Sequence, residues 1–301
     1  PVEDINISQG RVESVICADG SIPSSAVVMA IGHSARDTFE MLLSRGALLQ
    51  PKPFSVGARI EHTQADVNRS LYGEYADNPN LPVGEYQLSN RRADGRAAYT
   101  FCMCPGGSIV AAASEEEGIV TNGMSEYARN GKNANSALVV SVTPNDFGNG
   151  ALDGVDFARN LERRAYQMSG SYKAPSSTVA SFMDELTKNP SLSPTYRPGT
   201  VDCDLNRLFP KFVSDMMKEG IRRFSREMNC FGDGGAILTA PETRTSSPVR
   251  ILRSDNFNAV GIDNLYPCGE GAGYAGGIVS AAVDGVKTAL KIMESFAPPE
   301  D

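Results

Sequence analysis

The sequence predicts an α/β protein whose two ends form one domain around a large α+β insertion. Three observations carry that expectation. Near the start, Ala26-Val27-Val28-Met29-Ala30-Ile31 is an unbroken apolar run closed by Gly32, as in a parallel strand buried on both faces. Near the end, a strand expected over 264–269 runs through a glycine-dense loop into a helix expected over 277–295. Between them, strand and helix patterns mix. The boundaries follow: residues 1–50 and 251–301 as one domain, 51–250 as the insertion, with Pro51 and Pro53 marking the crossing.

Taken in order, Glu3 to Ser8 alternates, Gln9-Gly10 turns, and Arg11 to Ala18 alternates again before the hairpin signal Asp19-Gly20. Ser34 is placed to cap a helix through Phe39, Met41, Leu42 and Leu43, stopped by Gly46. In the insertion, strands are expected at 54–61, 97–103, 108–112 and 137–142. Helices are expected at 154–168, 177–187 and 210–228, the last with an apolar stripe of Phe212, Met216, Met217, Ile221 and Phe224. Segments 66–82, 190–200 and 232–235 read as loops. In the final helix, Ile278, Ala281, Ala282, Val286, Ala289, Leu290 and Met293 form an apolar face.

Composition narrows the function. With 28 Lys plus Arg against 36 Asp plus Glu, the net charge is −8, which argues against gripping nucleic acid through phosphates. The apolar runs are too short to cross a bilayer. The two histidines, His33 and His62, leave little for an imidazole metal site, so no metal is expected. Six scattered cysteines without a secretory signal point to reducing cytoplasm. The chain opens on Pro1 directly into a strand pattern, which reads as a fragment of a longer protein.

Gly271-Ala272-Gly273-Tyr274-Ala275-Gly276 matches G-x-G-x-x-G between a strand and a helix. A dinucleotide fingerprint needs a further strand with an acid about 20 residues on, and the sequence has no room for it. What remains is either a helix N-terminus, whose N–H groups and dipole favour negative charge, or a glycine turn that packs the helix against the strand. Its glycines allow close approach of a flat ligand. Glu270 suits a hydroxyl that can donate to a carboxylate.

Tyr266-Pro267-Cys268-Gly269-Glu270-Gly271, followed by Gly276-Gly277-Ile278 and the alanine-rich helix, resembles the C-terminal flavin-binding segment of FAD-dependent oxidoreductases of the glutathione reductase superfamily. The 27–32 run resembles their strand and turn before it. More narrowly, the stretches 54–62, 100–107 and 242–250 resemble a bacterial family of uncharacterised FAD-dependent dehydrogenases. The resemblance implies an incomplete FAD-binding Rossmann-like domain lacking its N-terminal G-x-G-x-x-G unit, with the insertion as substrate domain. It implies flavin contacts from Gly32, Gly269, Glu270, Gly271, Gly273, Gly276, Gly277 and Ile278. The helix at Gly277 would face the flavin edge where charge builds on reduction. The superfamily usually has Asp at Glu270, so the reach here is one methylene longer. FAD is expected in the intact parent and absent from this chain alone. A small-molecule substrate and an NAD(P)H donor are the expected partners. The alternatives are a tRNA-modifying flavoprotein relative and a non-enzymatic substrate-binding module.

Four residues are candidates for the chemistry. Cys102 and Cys104 lie two apart on an expected strand, hence on one side and about 6.6–6.8 Å apart, at the outer limit for a disulfide. Both are expected reduced, as small buried side chains or with one thiol near the flavin rather than as a redox dithiol. Arg59 and Glu61 share a face, to pair or to line the substrate pocket. Arg244 is a candidate for an anionic substrate or the flavin pyrimidine edge.

Overall fold

The computed structural model describes residues 1–186 and 188–296. The fold is mixed α/β, in two compact units: residues 1–54, 143–157 and 246 onward, and residues 55–142 with 158–245. The first unit takes in the 143–157 segment, which the sequence reading left in the insertion. The rings of Phe54, Phe147 and Phe157 explain it. They cluster with centroids 5.6–6.3 Å apart, and Val155 is buried in the same core as Phe39, Leu42 and Leu265.

In the first unit, Val2–Ser8, Arg11–Cys17 and Gly20–Pro23 form the expected meander. Ile5 and Val12 are its buried contribution. Val27–Met29 pairs in parallel with Leu265–Pro267, so the two apolar runs from opposite ends of the chain are adjacent. Asn264 ties this pair to the meander: its side chain accepts from the Val12 N–H at 2.9 Å and donates to the Val12 carbonyl at 2.8 Å. The Arg36–Ser44 helix starts from Ala35, not Ser34, and has no side-chain cap.

Two expectations about burial fail here. Val28 is 50% exposed, so the 26–31 run is not covered on both faces. The pair it belongs to has only two strands among the described residues. The Ile278–Met293 helix is inverted: its buried residues are Asp284 and Thr288, while Ile278, Val279, Val286, Leu290 and Met293 are exposed. Among the described residues no helix is long and apolar enough to cross a membrane.

The second unit is a seven-stranded sheet. Its order is Thr200–Asp202, Ala174–Thr178, Ile237–Glu242, Phe54–Thr63, Asn133–Val142, Ala97–Cys104 and Ser89–Arg91. The central strands are buried along nearly their whole length, so polar side chains such as Arg59, Glu61 and Asn135 are buried among the apolar ones. Gly57 is required by close approach, since a Cβ there would lie 2.0 Å from the Leu138 carbonyl oxygen. The Lys211–Phe224 helix buries Val213, Met216, Met217, Ile221 and Phe224, close to the expected stripe.

Two segments differ from expectation. Gln64–Tyr72, expected as the start of a loop, is a helix. Thr63 caps it by accepting the Asp66 N–H at 3.1 Å. Conversely, the helix expected at 177–187 is the strand Ala174–Thr178 followed by a single turn, Val179–Phe182; Thr187 lies outside the described residues. Pairing of Ser176–Thr178 with Ile237–Thr239 overrides the local pattern.

His62 lies in this core, its ring 4.8 Å from that of Phe231 and 6.3 Å from that of Tyr86. Burial pushes its pKa down from 6.5 to about 4, against the opposing charges of Asp233 and Asp66. The unfolded chain therefore binds a proton that the folded chain refuses between those values. Stability contributed by the neutral ring should fall as pH drops through that window, by about 3 kcal/mol at most. Urea unfolding at pH 7 and pH 4.5 should show His62→Phe losing less stability on acidification than the wild type. Equal losses would contradict the assignment.

Candidate functional site

The glycine loop of the first unit is organised by Asp284. Its carboxylate accepts the Gly269 N–H at 2.8 Å and takes two bonds from Arg253, at 3.0 and 2.6 Å. Burial would raise the Asp284 pKa, but the Arg253 and Gly269 bonds outweigh it and hold it below the ordinary value. Arg253 is itself stacked over the rings of Tyr274 and Phe257 at 3.7 and 4.1 Å. A polar residue on the buried side of the last helix thus fixes the loop at its mouth.

The glycines divide into two kinds. At Gly271 a Cβ would lie 2.2 Å from the Gly32 carbonyl oxygen, and at Gly273 one would lie 2.7 Å from the Val249 carbonyl oxygen. Gly269 and Gly273 also have φ of +77° and +85°. These positions are glycine because the protein's own backbone demands it. Gly276 has nothing within 4 Å of a would-be Cβ, and Gly277 meets only Ser280 Oγ at 4.0 Å. Neither has positive φ. Among the described residues nothing accounts for two glycines there, and the open cradle fits close approach of a flat group.

The helix N-terminus is less open than the sequence implies. Ser280 Oγ accepts the Gly276 and Gly277 N–H groups at 3.3 and 3.1 Å. The donors without a partner inside the helix are those of Ile278, Val279 and Ser280. Glu270 lies 3.5 Å from His33 Nδ1. Lys52 also joins this neighbourhood: burial and the Arg250 charge lower its pKa, while Glu270 opposes them. Sequence reasoning missed His33 and Lys52 as site residues. For His33, its place directly after Gly32 was the available signal; Lys52 had none.

In the second unit the centre is Arg59, fully buried. It does not pair with Glu61. Its Nε and Nη2 donate to the two oxygens of Glu242, each at 2.9 Å, in the bidentate geometry favoured by guanidinium and carboxylate. Nη1 donates to the Cys102 carbonyl at 2.8 Å and to Asn135 Oδ1 at 3.2 Å, and Nη2 also reaches Asn122 Oδ1 at 2.9 Å. Burial alone would lower the Arg59 pKa, but the Glu242 charge and hydrogen bond outweigh it and raise it. Glu61 is instead held by Thr195 Oγ1 at 2.6 Å and Asn133 at 3.2 Å. Burial raises its pKa against those bonds.

Cys102 and Cys104 are not equivalent neighbours on one face. The ladder pairs Asn135 with Cys104 and Ala137 with Phe101, so Cys102 and Met103 together oppose Ser136. This is a β-bulge, and Cys102 takes φ of +45°, a position that glycine usually fills. Cys102 is exposed and Cys104 buried. The Cys104 thiol lies 3.4 Å from the Cys102 carbonyl and 4.0 Å from Arg59 Nη1. Cys102 borders a cleft of about 500 Å3 with Glu85, Tyr86, Gln87 and Thr100. Arg244 is buried within its own unit, bonded to Ser114 Oγ at 2.7 Å and 3.6 Å from a Glu162 oxygen.

The first unit thus sets a glycine loop before a helix whose Ile278, Val279 and Ser280 N–H groups have no partner inside the helix. The chain belongs to the family described as FAD-dependent protein, C-terminal domain-like, which it matches over residues 53–245. It is also 44% identical, over 304 residues, to an uncharacterized protein of Clostridium beijerinckii. The match covers 99% of this chain and 57% of that relative, so the chain spans little more than half the relative's length.

The Arg59–Glu242 pair makes a sharp prediction. Glu242→Gln leaves a buried guanidinium without its counter-charge and should cost about 3–5 kcal/mol in urea unfolding. A combined Arg59→Met, Glu242→Gln variant should recover part of that loss. A single Glu242→Gln variant as stable as the wild type would contradict the account.

Proposed function

We propose that this chain is part of an FAD-dependent oxidoreductase, in which the Gly269–Ile278 segment receives one side of the cofactor. The observation that carries the reading is the pair Gly276-Gly277, glycines that no neighbour among the described residues requires, set at a helix N-terminus in a chain of an FAD-dependent family. FAD, when bound, supplies the redox chemistry. The protein's share is positional and electrostatic. The N–H groups of Ile278, Val279 and Ser280 stabilise negative charge, Glu270 accepts a hydroxyl donor, and Asp284 with Arg253 holds Gly269 in place.

The inverted last helix supports the same reading. Its exposed Ile278, Val286, Leu290 and Met293, beside a parallel pair of only two strands among the described residues, suit completion of a Rossmann-like domain by further chain. The longer Clostridium relative has length for it. The second unit is the substrate domain in this proposal, with a small molecule as substrate and NAD(P)H as electron donor. A cytoplasmic setting suits the six unpaired cysteines.

In the intact parent, Gly277→Asp should abolish FAD retention by placing a carboxylate at the helix end and a side chain in the cradle. Flavin absorbance per protein after gel filtration measures it. Each contact of 1.4 kcal/mol lost weakens binding about tenfold, so a folded variant should elute colourless. Retention equal to the wild type would overturn the site assignment.

A further inference from the structure

The bulge at Cys102 has no structural need for cysteine. A glycine would hold φ of +45° without strain, whereas a side chain there costs free energy. The strain presents one thiol to solvent beside a cleft and sets a second thiol two residues on, buried against Arg59. The same Cys102 carbonyl is bonded by Arg59 at 2.8 Å and lies 3.4 Å from the Cys104 sulfur. Both cysteines therefore lie around one fixed guanidinium. The bulge replaces regular extended backbone between the two cysteines, so the spacing of a regular strand does not separate them.

We propose that Cys102 and Cys104 are a redox-active dithiol that reduces small disulfides by thiol–disulfide exchange. Cys102, the exposed residue, is the attacking sulfur. Its thiolate bonds to one sulfur of a disulfide R–S–S–R, the S–S bond breaks, and R–S⁻ leaves. Cys104 then attacks Cys102 Sγ, a Cys102–Cys104 bond forms, and the second R–S⁻ leaves. The proton lost by Cys104 and one from solvent convert the two products to thiols. The protein dithiol gives up two electrons and the small disulfide takes both. The Cys104 thiol and the Arg59 charge and hydrogen bond push the Cys102 pKa down to about 5, against partial burial, while Cys104 is raised. The lowered Cys102 thiol is the better nucleophile of the two, and the raised Cys104 thiol holds its proton more tightly. The proposal stands independently of the flavin reading.

The probe is glutathione disulfide, added to the 301-residue protein at neutral pH and quenched with acid before peptide mapping. The wild type should lose two free thiols and yield a Cys102–Cys104 peptide lighter by two hydrogens, reversed by dithiothreitol. Cys104→Ser should instead accumulate glutathione on Cys102, and Cys102→Ser should leave Cys104 unmodified. Circular dichroism checks that both variants fold. At pH 6, Cys102 should be alkylated by iodoacetamide about tenfold or more faster than Cys17. A wild type that keeps both thiols, or that ends with glutathione stably on Cys102, would overturn the proposal. So would a Cys102 no faster than Cys17.

Discussion

The buried guanidinium of Arg59 is the constraint on which the second unit depends. Its donors reach Glu242, Asn135, Asn122 and the Cys102 carbonyl, and so join four other strands to its own. A charge removed from water is tolerated only where the counter-charge and the remaining donors are all met. Here Glu242 meets the charge and backbone and amide oxygens take the rest. The bulge at Cys102 is part of that satisfaction, because it turns a carbonyl toward the guanidinium instead of the ladder. The geometry of both cysteines is therefore tied to an ion pair whose partners are 183 residues apart in the chain.

The first unit works by a different economy. Its last helix places Asp284 and Thr288 inward and its apolar residues outward, the reverse of a surface helix packed on its own core. Asp284 acts locally, tying Gly269 and Arg253 together at the loop after the parallel strand. Packing between neighbouring backbones explains Gly271 and Gly273. Packing among the described residues does not explain the glycines at 276 and 277 or the uncovered apolar face; in the proposed function both are assigned to the cofactor and to further chain.

Much of this was legible in the sequence because it rests on local pattern. The meander, the apolar strand at 27–29, the strand at 54–63 and the helix at 211–224 follow from period and turn residues. The glycine loop was legible in outline, though not which glycines serve the protein and which face open space. The helix at 64–72 was hidden by its polar surface; the Thr63 to Asp66 spacing was the one usable sign. The strand at 174–178 was decided by its neighbours and not by its own residues. Glu242 as the partner of Arg59, the Ser280 cap over Gly276 and Gly277, and the bulge at Cys102 all depend on long-range pairing or side-chain geometry. No spacing rule reaches them.

The central claim is that this chain serves a flavin enzyme. It is tested most directly by purifying the full-length Clostridium beijerinckii relative under native conditions, releasing its bound small molecules with acid, and recording their visible spectrum. The account predicts flavin in stoichiometric amount, retained through purification or restored by incubation with FAD. A folded, full-length relative that carries no flavin and takes up none when FAD is supplied would contradict it.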